Sequence, residues 1–500
     1  MKPANLLFIL ADNHNREVVG CYGHPIVKTP ALDQLAARGV RFSASYSASA
    51  LCCPSRAALA TGRFPHETGY WDNAIAYDGK VPSWMRRLRE HGSNVTAIGK
   101  LHYRSSEDDY GLTEEIMPVH LHEGKGAAVN LLRGYDAEPA RTDGERWKLY
   151  AGRSGPGETH YQEFDGKVTA RAIEWLRAHA HDRGKPWALK VAFFSPHPPF
   201  TVPQRLYDLY PENEMPLPPR CRPGDRPEHP AARHLREIEG YRDMTDERVL
   251  RRVAAAYFGL ITFVDEQVAA IMRTVEELGL LANTRIVYTS DHGELFGAQG
   301  IFGKKSLYEG AVGVPLIVAG AGVPQNRVVR QLVSHVDLFP TIVEGMGAKL
   351  ADAESNLHGV SLWPAIGGRE TTRSAFAEYH GQGSKAGQFM LRDGDLKLVY
   401  HVGMPSQLFD LAADPIEAHD LVAEGHDNGR AKALEAKLRK ICNPEEVDAR
   451  AKADQRRMAD HWGGPEKLRN AQQILFTPPP GVSASEAWAA PETTARAGRT

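Results

Sequence analysis

Four short apolar runs end in ionisable residues, with helix-periodic stretches between them. Run 6–10 leads into Asp12, Asn13 and His14, and run 94–98 into Lys100 and His102. Run 187–194 leads to His197, and run 285–288 to Asp291 and His292. Helical patterns are read over 30–37 with Gly39 as a stop, over 168–178, and over a long stretch of about 247–281. Strands alternating with helices predict a parallel sheet covered on both faces, an α/β fold. Ligands of such sheets bind outside the carboxyl ends of the strands, so the four polar endings are expected to meet at one site. Taken singly, each would only terminate its own strand.

After a further strand at 314–318, the segment 334–341 reads as a turn opening a helix. From about Arg373 the pattern shortens to strand-like runs at 374–378, 388–392, 396–402 and 407–411, with Asp393-Gly394 as a hairpin signal. Residues 431–459 are charged and helical in pattern, and Pro478-Pro479-Pro480 opens an Ala-, Ser- and Pro-rich extended tail. The chain exceeds the size at which one core keeps growing. The expected division is a catalytic domain over 1–372, a smaller α+β subdomain with an antiparallel sheet over 373–450, and a tail over 451–500 that is either disordered or wraps a neighbouring subunit. The tail favours a homo-oligomer.

Composition narrows the partners. A formal net charge of -2 gives no reason to expect nucleic acid or an acidic membrane surface as a partner. No apolar run reads as a bilayer span, and run 6–10 is too short for a signal peptide, so a cytoplasmic protein is expected. Five cysteines form neither a disulfide framework nor a zinc spacing.

The most specific segment is Cys52-Cys53-Pro54-Ser55-Arg56 followed by Leu59-Ala60-Thr61-Gly62-Arg63. Pro54 suits a first helical turn and Gly62 a stop, which puts Cys52 at a helix N-terminus, where backbone N–H groups favour anions. A thiolate nucleophile with a lowered pKa fits that position, and so does an inert cysteine pair in a packed helix. The segment also resembles the C-x-P-S-R, L-x-T-G-R signature of type I sulfatases of the alkaline phosphatase superfamily. That resemblance implies a large, mostly parallel mixed sheet sandwiched by helices, and oxidation of Cys52 to Cα-formylglycine by a maturation enzyme.

The resemblance extends over most of the chain and assigns roles. It implies a divalent cation, Ca²⁺ or Mn²⁺, held by Asp12, Asn13, residue 52, Asp291 and His292. Asn13 and His292 stand where many sulfatases carry Asp and Asn, and imidazole moves the preference toward Mn²⁺ or a similar ion. Arg56 would hold residue 52. Gly99-Lys100-Leu101-His102 resembles G-K-x-H, making Lys100 a sulfate ligand and His102 the base that expels sulfate from a covalent intermediate. His197 and Lys304, the latter in Gly303-Lys304-Lys305-Ser306-Leu307-Tyr308-Glu309-Gly310, would lie near the leaving oxygen and bind substrate. Asn73 would direct an amide to the anion, and His14, Tyr103 and Arg104 are further pocket residues without an assigned role.

Three functions follow. The leading one is hydrolysis of a small aryl or alkyl sulfate monoester. A phosphonate monoester hydrolase or phosphodiesterase would use the same machinery, and His292 favours it. A binding protein that keeps Cys52 as a thiol is the third. Specificity is expected in inserted loops over 105–159 and 203–246. The acidic residues Glu107, Asp108, Asp109, Glu114 and Glu115 suit a cationic ester such as choline sulfate, or a plain solvated face.

Overall fold

The computed structural model describes residues 2–135, 150, 152–182, 184–241, 244–470 and 477–483. An eight-stranded sheet runs through it, built from β1 (Asn5–Ala11), β2 (Gly39–Phe42), β3 (Val95–Lys100), β4 (Glu114–Val119), β5 (Ala188–Ala192), β6 (Thr284–Ser290), β7 (Leu316–Gly320) and β8 (Arg327–Val329). Their spatial order is β8-β2-β7-β6-β1-β5-β3-β4. β7 runs antiparallel to both its neighbours, and the other pairs are parallel. The expected α/β fold, with a mixed and mostly parallel sheet, is therefore present.

β1 explains the uninterrupted apolar runs. Leu6, Phe8 and Leu10 enter one core, while Leu7, Ile9 and Ala11 enter the opposite one. Because alternate side chains leave opposite faces, a strand covered on both sides must be apolar throughout. The first core contains residues of α4 (Trp84–Glu90) and α7 (Leu338–Gly345). The second contains residues of α1 (Pro30–Ala37), α5 (His160–His179) and α6 (Glu247–Glu277). By length and composition α6 could cross a membrane, contrary to the sequence expectation, but 78% of its most apolar 18 residues are buried in the fold. Gly39 is not a helix stop, since Arg38 is the cap. It opens β2, where a Cβ would lie 2.2 Å from the Val318 carbonyl oxygen.

The C-terminal sheet is an antiparallel meander of β9 (Ser374–Tyr379), β10 (Gln388–Asp393), β11 (Leu396–His401) and β12 (Gln407–Asp410). Asp393 pairs with Leu396, so the hairpin turn is Gly394-Asp395, one residue beyond the sequence signal. The helical stretch expected over 431–459 divides into α8 (Arg430–Leu438) and α9 (Pro444–His461), because Pro444 can begin a helix but lacks the N–H to continue one.

Helix α9 runs on past residue 450 and is followed by α10 (Gly464–Asn470), so 451–470 is helical rather than an extended tail. Its buried Val447, Ala451, Gln455 and Ala459 recur about once per turn. They pack beside the segment Ala128–Tyr135, whose Arg133 forms an ion pair with Asp448 and donates to Gln455 Oε1 at 3.2 Å. Part of the expected specificity loop, 136–149, and tail residues 471–476 and 484–500 lie outside the described residues.

Candidate active site

Cys52 is the first residue of α2 (Cys52–Thr61), after Leu51 in extended conformation. Gly62 ends the helix at φ 67°, in the left-handed region. No side chain of Leu51 caps the start. Instead Asn73 Oδ1 accepts the Cys53 N–H at 2.9 Å, which satisfies one of the donors every helix N-terminus leaves unpaired. The side-chain amide nitrogen of Asn73 remains for the cavity that Asn73 helps to line.

The four strand endings meet in front of Cys52. β1 supplies Asp12 and Asn13, β6 supplies Asp291 and His292, β3 supplies Lys100 and His102, and β5 leads to His197. One ligand atom each from Asp12, Cys52, Asp291 and His292 lies within 4.8 Å of the others, and all four residues are buried. His292 Nε2 is 3.2 Å from Cys52 Sγ and 3.5 Å from Asp291 Oδ1, while Nδ1 bonds the Gly293 carbonyl at 3.0 Å. An Nδ1–H···O=C bond leaves the Nε2 lone pair facing the cluster, the tautomer a metal ligand needs. This donor set fits a divalent cation.

Arg56 is used differently from expectation. Its Nη2 lies 2.9 Å from Asp12 Oδ2 and its Nε 2.8 Å from Asp291 Oδ2, and Nη1 donates to the Lys100 carbonyl. Fully buried, it clamps the two acidic strand ends rather than facing the cavity. Burial alone would lower the guanidinium pKa, but Asp291 and Asp12 outweigh it and keep the charge fixed.

Lys100 Nζ sits 2.6 Å from Asp12 Oδ2 and 4.6 Å from the centre of the Phe194 ring. Its direction depends on Gly99, whose φ of +93° accompanies a register shift between Ile98 and Lys100; a Cβ at Gly99 would meet the Ala192 carbonyl oxygen at 2.2 Å. The bulge re-aims the strand end into the cavity. Lys304 Nζ is 2.7 Å from Asn13 Oδ1 and 3.2 Å from Cys52 Sγ. Burial opposes its charge, but Cys52, Asp12 and Asp291 together raise the ammonium pKa. Burial and Asp12 likewise oppose ionisation of Cys52, yet Lys304 and His102 bring its thiol below the ordinary value.

Burial favours the uncharged form of His102 and His197. Burial brings His102 down to about 4, and it takes His197 well below the ordinary value with help from Lys304 and Lys100. His197 Nδ1 bonds the Pro198 carbonyl at 2.7 Å. His102 Nε2 lies 2.9 Å from Thr477 Oγ1, and the His102 side chain also bonds Cys52. The cavity is lined by Cys52, Asn73, Lys100, His102, Leu121, His122, Lys125, Gly126, Ala127, His197 and Thr477. Asn13, His102 and Lys305, in three different loops around it, all have positive φ (69°, 58° and 71°), conformations that non-glycine residues hold only when their surroundings impose them.

Three residues have roles that sequence reading missed. Glu294 accepts from Asn13 Nδ2 and the Gly303 N–H, so it orients Asn13 and joins the Asp291 and Lys304 loops; its place in the Asp291-x-Gly-Glu segment was the available signal. Asp165 on α5 accepts the Phe194 and Ser195 N–H groups at 2.8 Å each and so fixes the turn that carries His197. Thr477 reaches His102 across 375 positions, with nothing local to announce it.

Other expectations moved away from the cavity. His14 bridges Tyr288 and Val18, Tyr103 packs edge-on to Tyr77 and tilted against Tyr110, and Arg104 pairs with Asp108. Asp109 is held by Arg89 and Glu115 by His120. No carboxylate of the 107–115 segment lines the cavity among the described residues.

The comparisons with known proteins agree with this geometry. The sulfatase family profile matches residues 4–348, and the C-terminal profile of N-sulphoglucosamine sulphohydrolase matches 297–443. The chain is 31% identical over 509 residues to a choline-sulfatase of Rhizobium meliloti (strain 1021), covering 97% of this chain and 95% of that one. It is 28% identical to arylsulfatase K of Bos taurus, covering 89% and 83%. A phosphonate monoester hydrolase of Agrobacterium radiobacter shares the fold, with a TM-score of 0.69, 23% identity and coverage of 90% and 96%. So does a protein solved with D-glucosamine-2-N,6-O-disulfate, described as its substrate, with a TM-score of 0.71, 21% identity and coverage of 91% and 99%. With the signature helix, the acidic strand ends and the cationic cavity in one place, the chain belongs to the sulfatase family and is a sulfuric ester hydrolase.

Proposed function

We propose that the protein hydrolyses a small sulfate monoester with residue 52, matured to formylglycine, as nucleophile and a divalent cation held by Asp12, Asp291 and His292, with Asn13 beside them. The observation that carries this reading is the surroundings of Cys52 Sγ. His292 Nε2 and Lys304 Nζ each stand 3.2 Å away, at the buried end of a cavity. When present, the cation and the formylglycine supply a polarising charge and a hydrated aldehyde whose two hydroxyls allow attack and later release.

This chain's own side chains do the rest. Lys100 and Lys304 offset charge on the transferring group in a water-poor site. Lys304 Nζ stands 3.2 Å from the residue 52 sulfur, within reach of a departing alcohol, whereas His197 Nδ1 is engaged with the Pro198 carbonyl. A His102 whose Nε2 donates to Thr477 Oγ1, 2.9 Å away, would carry its lone pair on Nδ1, the tautomer of a base for residue 52.

The outer wall suggests the alcohol. His122 and Lys125 line it, and among the described residues no carboxylate and no aromatic ring other than imidazole does. A quaternary ammonium group is recognised by aromatic faces or acids, so a neutral or anionic alcohol suits this wall better than choline. Presence of His292 in the ligand set supports a phosphonate monoester hydrolase as the second reading.

The test uses protein whose residue 52 has been shown by peptide mass to be the aldehyde. An aryl sulfate and an aryl phosphonate monoester with the same leaving group are compared. We expect kcat/KM to favour the sulfate by orders of magnitude, and choline sulfate to be a poor substrate. Preference for the phosphonate would reassign the enzyme. Full activity in protein with an intact Cys52 thiol would replace formylglycine by a thiolate mechanism.

A further inference from the structure

A second group of metal-ligating side chains lies at the far end of the catalytic helix. α3 (Pro65–Thr68) follows α2 directly and carries His66 and Glu67. His358, on an exposed loop, approaches them so that one ligand atom from each of the three residues lies within 4.8 Å of the others. Tetrahedral ligands around zinc stand about 3.3 Å apart, so each would need to move by less than about 1 Å to close on an ion.

The His66 imidazole is held in place. His66 Nδ1 and its backbone N–H each lie 2.8 Å from Glu378 Oε1, which leaves Nε2 as the nitrogen able to bind a metal. Glu378 is fully buried and also bonds His380 Nε2 at 2.9 Å through its other oxygen. A buried carboxylate that fixes the orientation of a histidine is the usual support of a metal-binding imidazole. The Phe64 ring packs against His66 at 5.9 Å and against His358 at 5.7 Å. The loop under His358 is fixed as well: a Cβ at Gly359 would lie 2.1 Å from the Val336 carbonyl oxygen, and the Val360 N–H donates to Asp337 Oδ1 at 2.9 Å.

We propose that His66, Glu67 and His358 form a second site for a divalent transition ion of the zinc class, completed by water and remote from the chemistry. Two imidazoles and one carboxylate suit Zn²⁺, Co²⁺ or Ni²⁺ and not Ca²⁺ or Mg²⁺. The ion would have to share Glu67, whose Oε1 now meets Arg63 at 3.3 Å and whose Oε2 accepts the Phe64 N–H at 2.8 Å. It would fasten the segment after the catalytic helix to the loop before Trp363. Through Glu378 it would also reach β9.

Full-length protein freed of metal by a chelator is titrated with Zn²⁺ by calorimetry and with Co²⁺ by visible absorption, beside His358→Gln and Glu67→Gln. Gln at 67 keeps an acceptor for the Phe64 N–H. Wild type is expected to bind one more Zn²⁺ than His358→Gln and to show tetrahedral Co²⁺ bands that this variant lacks. Glu67→Gln should weaken that equivalent at least about ten-fold, and aryl sulfate hydrolysis by reloaded His358→Gln should match wild type. Equal zinc content and affinity in wild type and His358→Gln would overturn the proposal. So would loss of the extra equivalent together with activity, because the ion would then belong to the catalytic centre.

Discussion

Two buried ionic clusters in this molecule are similar in composition and differ in what surrounds them. In one, Glu309 meets Arg16 at 2.8 Å and Lys397 at 2.9 Å, and Lys397 meets Glu417 at 2.8 Å. Three cations, with Arg392 alongside, face two carboxylates. Burial opposes the charge of Glu309, yet Lys397, Arg16 and Arg392 hold it well below the usual range; burial pushes Glu417 up to about 7. In the other, Arg56, Lys100 and Lys304 face Asp12 and Asp291. The count of cations and carboxylates is the same. The Glu309 cluster joins the C-terminal sheet to the segment after the Lys304 loop, whereas the Asp12 cluster lies beside the cavity lined by Cys52, Lys100 and His102. Buried charge alone therefore does not mark a catalytic site. Buried charge beside a cavity is what sets the candidate site apart.

Substitutions of one lysine in each cluster break the comparison most directly. Lys304→Ala is expected to lower kcat/KM about 10²–10³-fold, the usual effect of removing one preorganised donor, with little change in thermal midpoint. Lys397→Met removes the partner of two buried carboxylates and is expected to destabilise the fold by about 3–5 kcal/mol, read by denaturant unfolding, with kcat per folded molecule unchanged. A Lys397 variant that keeps its stability but loses turnover would make the two clusters one functional unit.

Asp165 sharpens the contrast more gently. Burial pushes its carboxyl up to about 7 against the pull of the Phe194 and Ser195 N–H groups. The folded state thus keeps a proton that the unfolded chain releases near 3.8, so its contribution to stability is complete below that pH and is lost as pH rises through about 7. Wild type should lose more of its thermal midpoint than Asp165→Asn between about pH 4 and 7. Parallel curves would mean that Asp165 ionises normally.

The local grammar of the chain disclosed much of this. Apolar runs marked the central strands because a strand covered on both faces cannot alternate, and the polar ends of 6–10, 94–98, 187–194 and 285–288 do converge. The signature helix and the Lys304 segment were readable because their chemistry is concentrated in a few neighbouring residues. Other features depend on contacts between distant residues. Arg56 clamps carboxylates at positions 12 and 291, and Thr477 meets His102. Asn13 and His102 are residue types that enter the left-handed region more readily than most, but no local signal fixes it at these positions. The sequence pattern carried one helix through 431–459 and missed the break before Pro444, and a tail boundary set at 450 falls inside α9.

The burial of Cys52 also has a consequence in time. In the folded protein it is 1% exposed, and its cavity walls come from residues as late as 477. A ribosome adding about 5–20 residues per second needs roughly twenty to ninety seconds to pass from the one to the other. An enzyme that acts on that thiol meets it most readily while the walls that will enclose it are still unmade or unfolded.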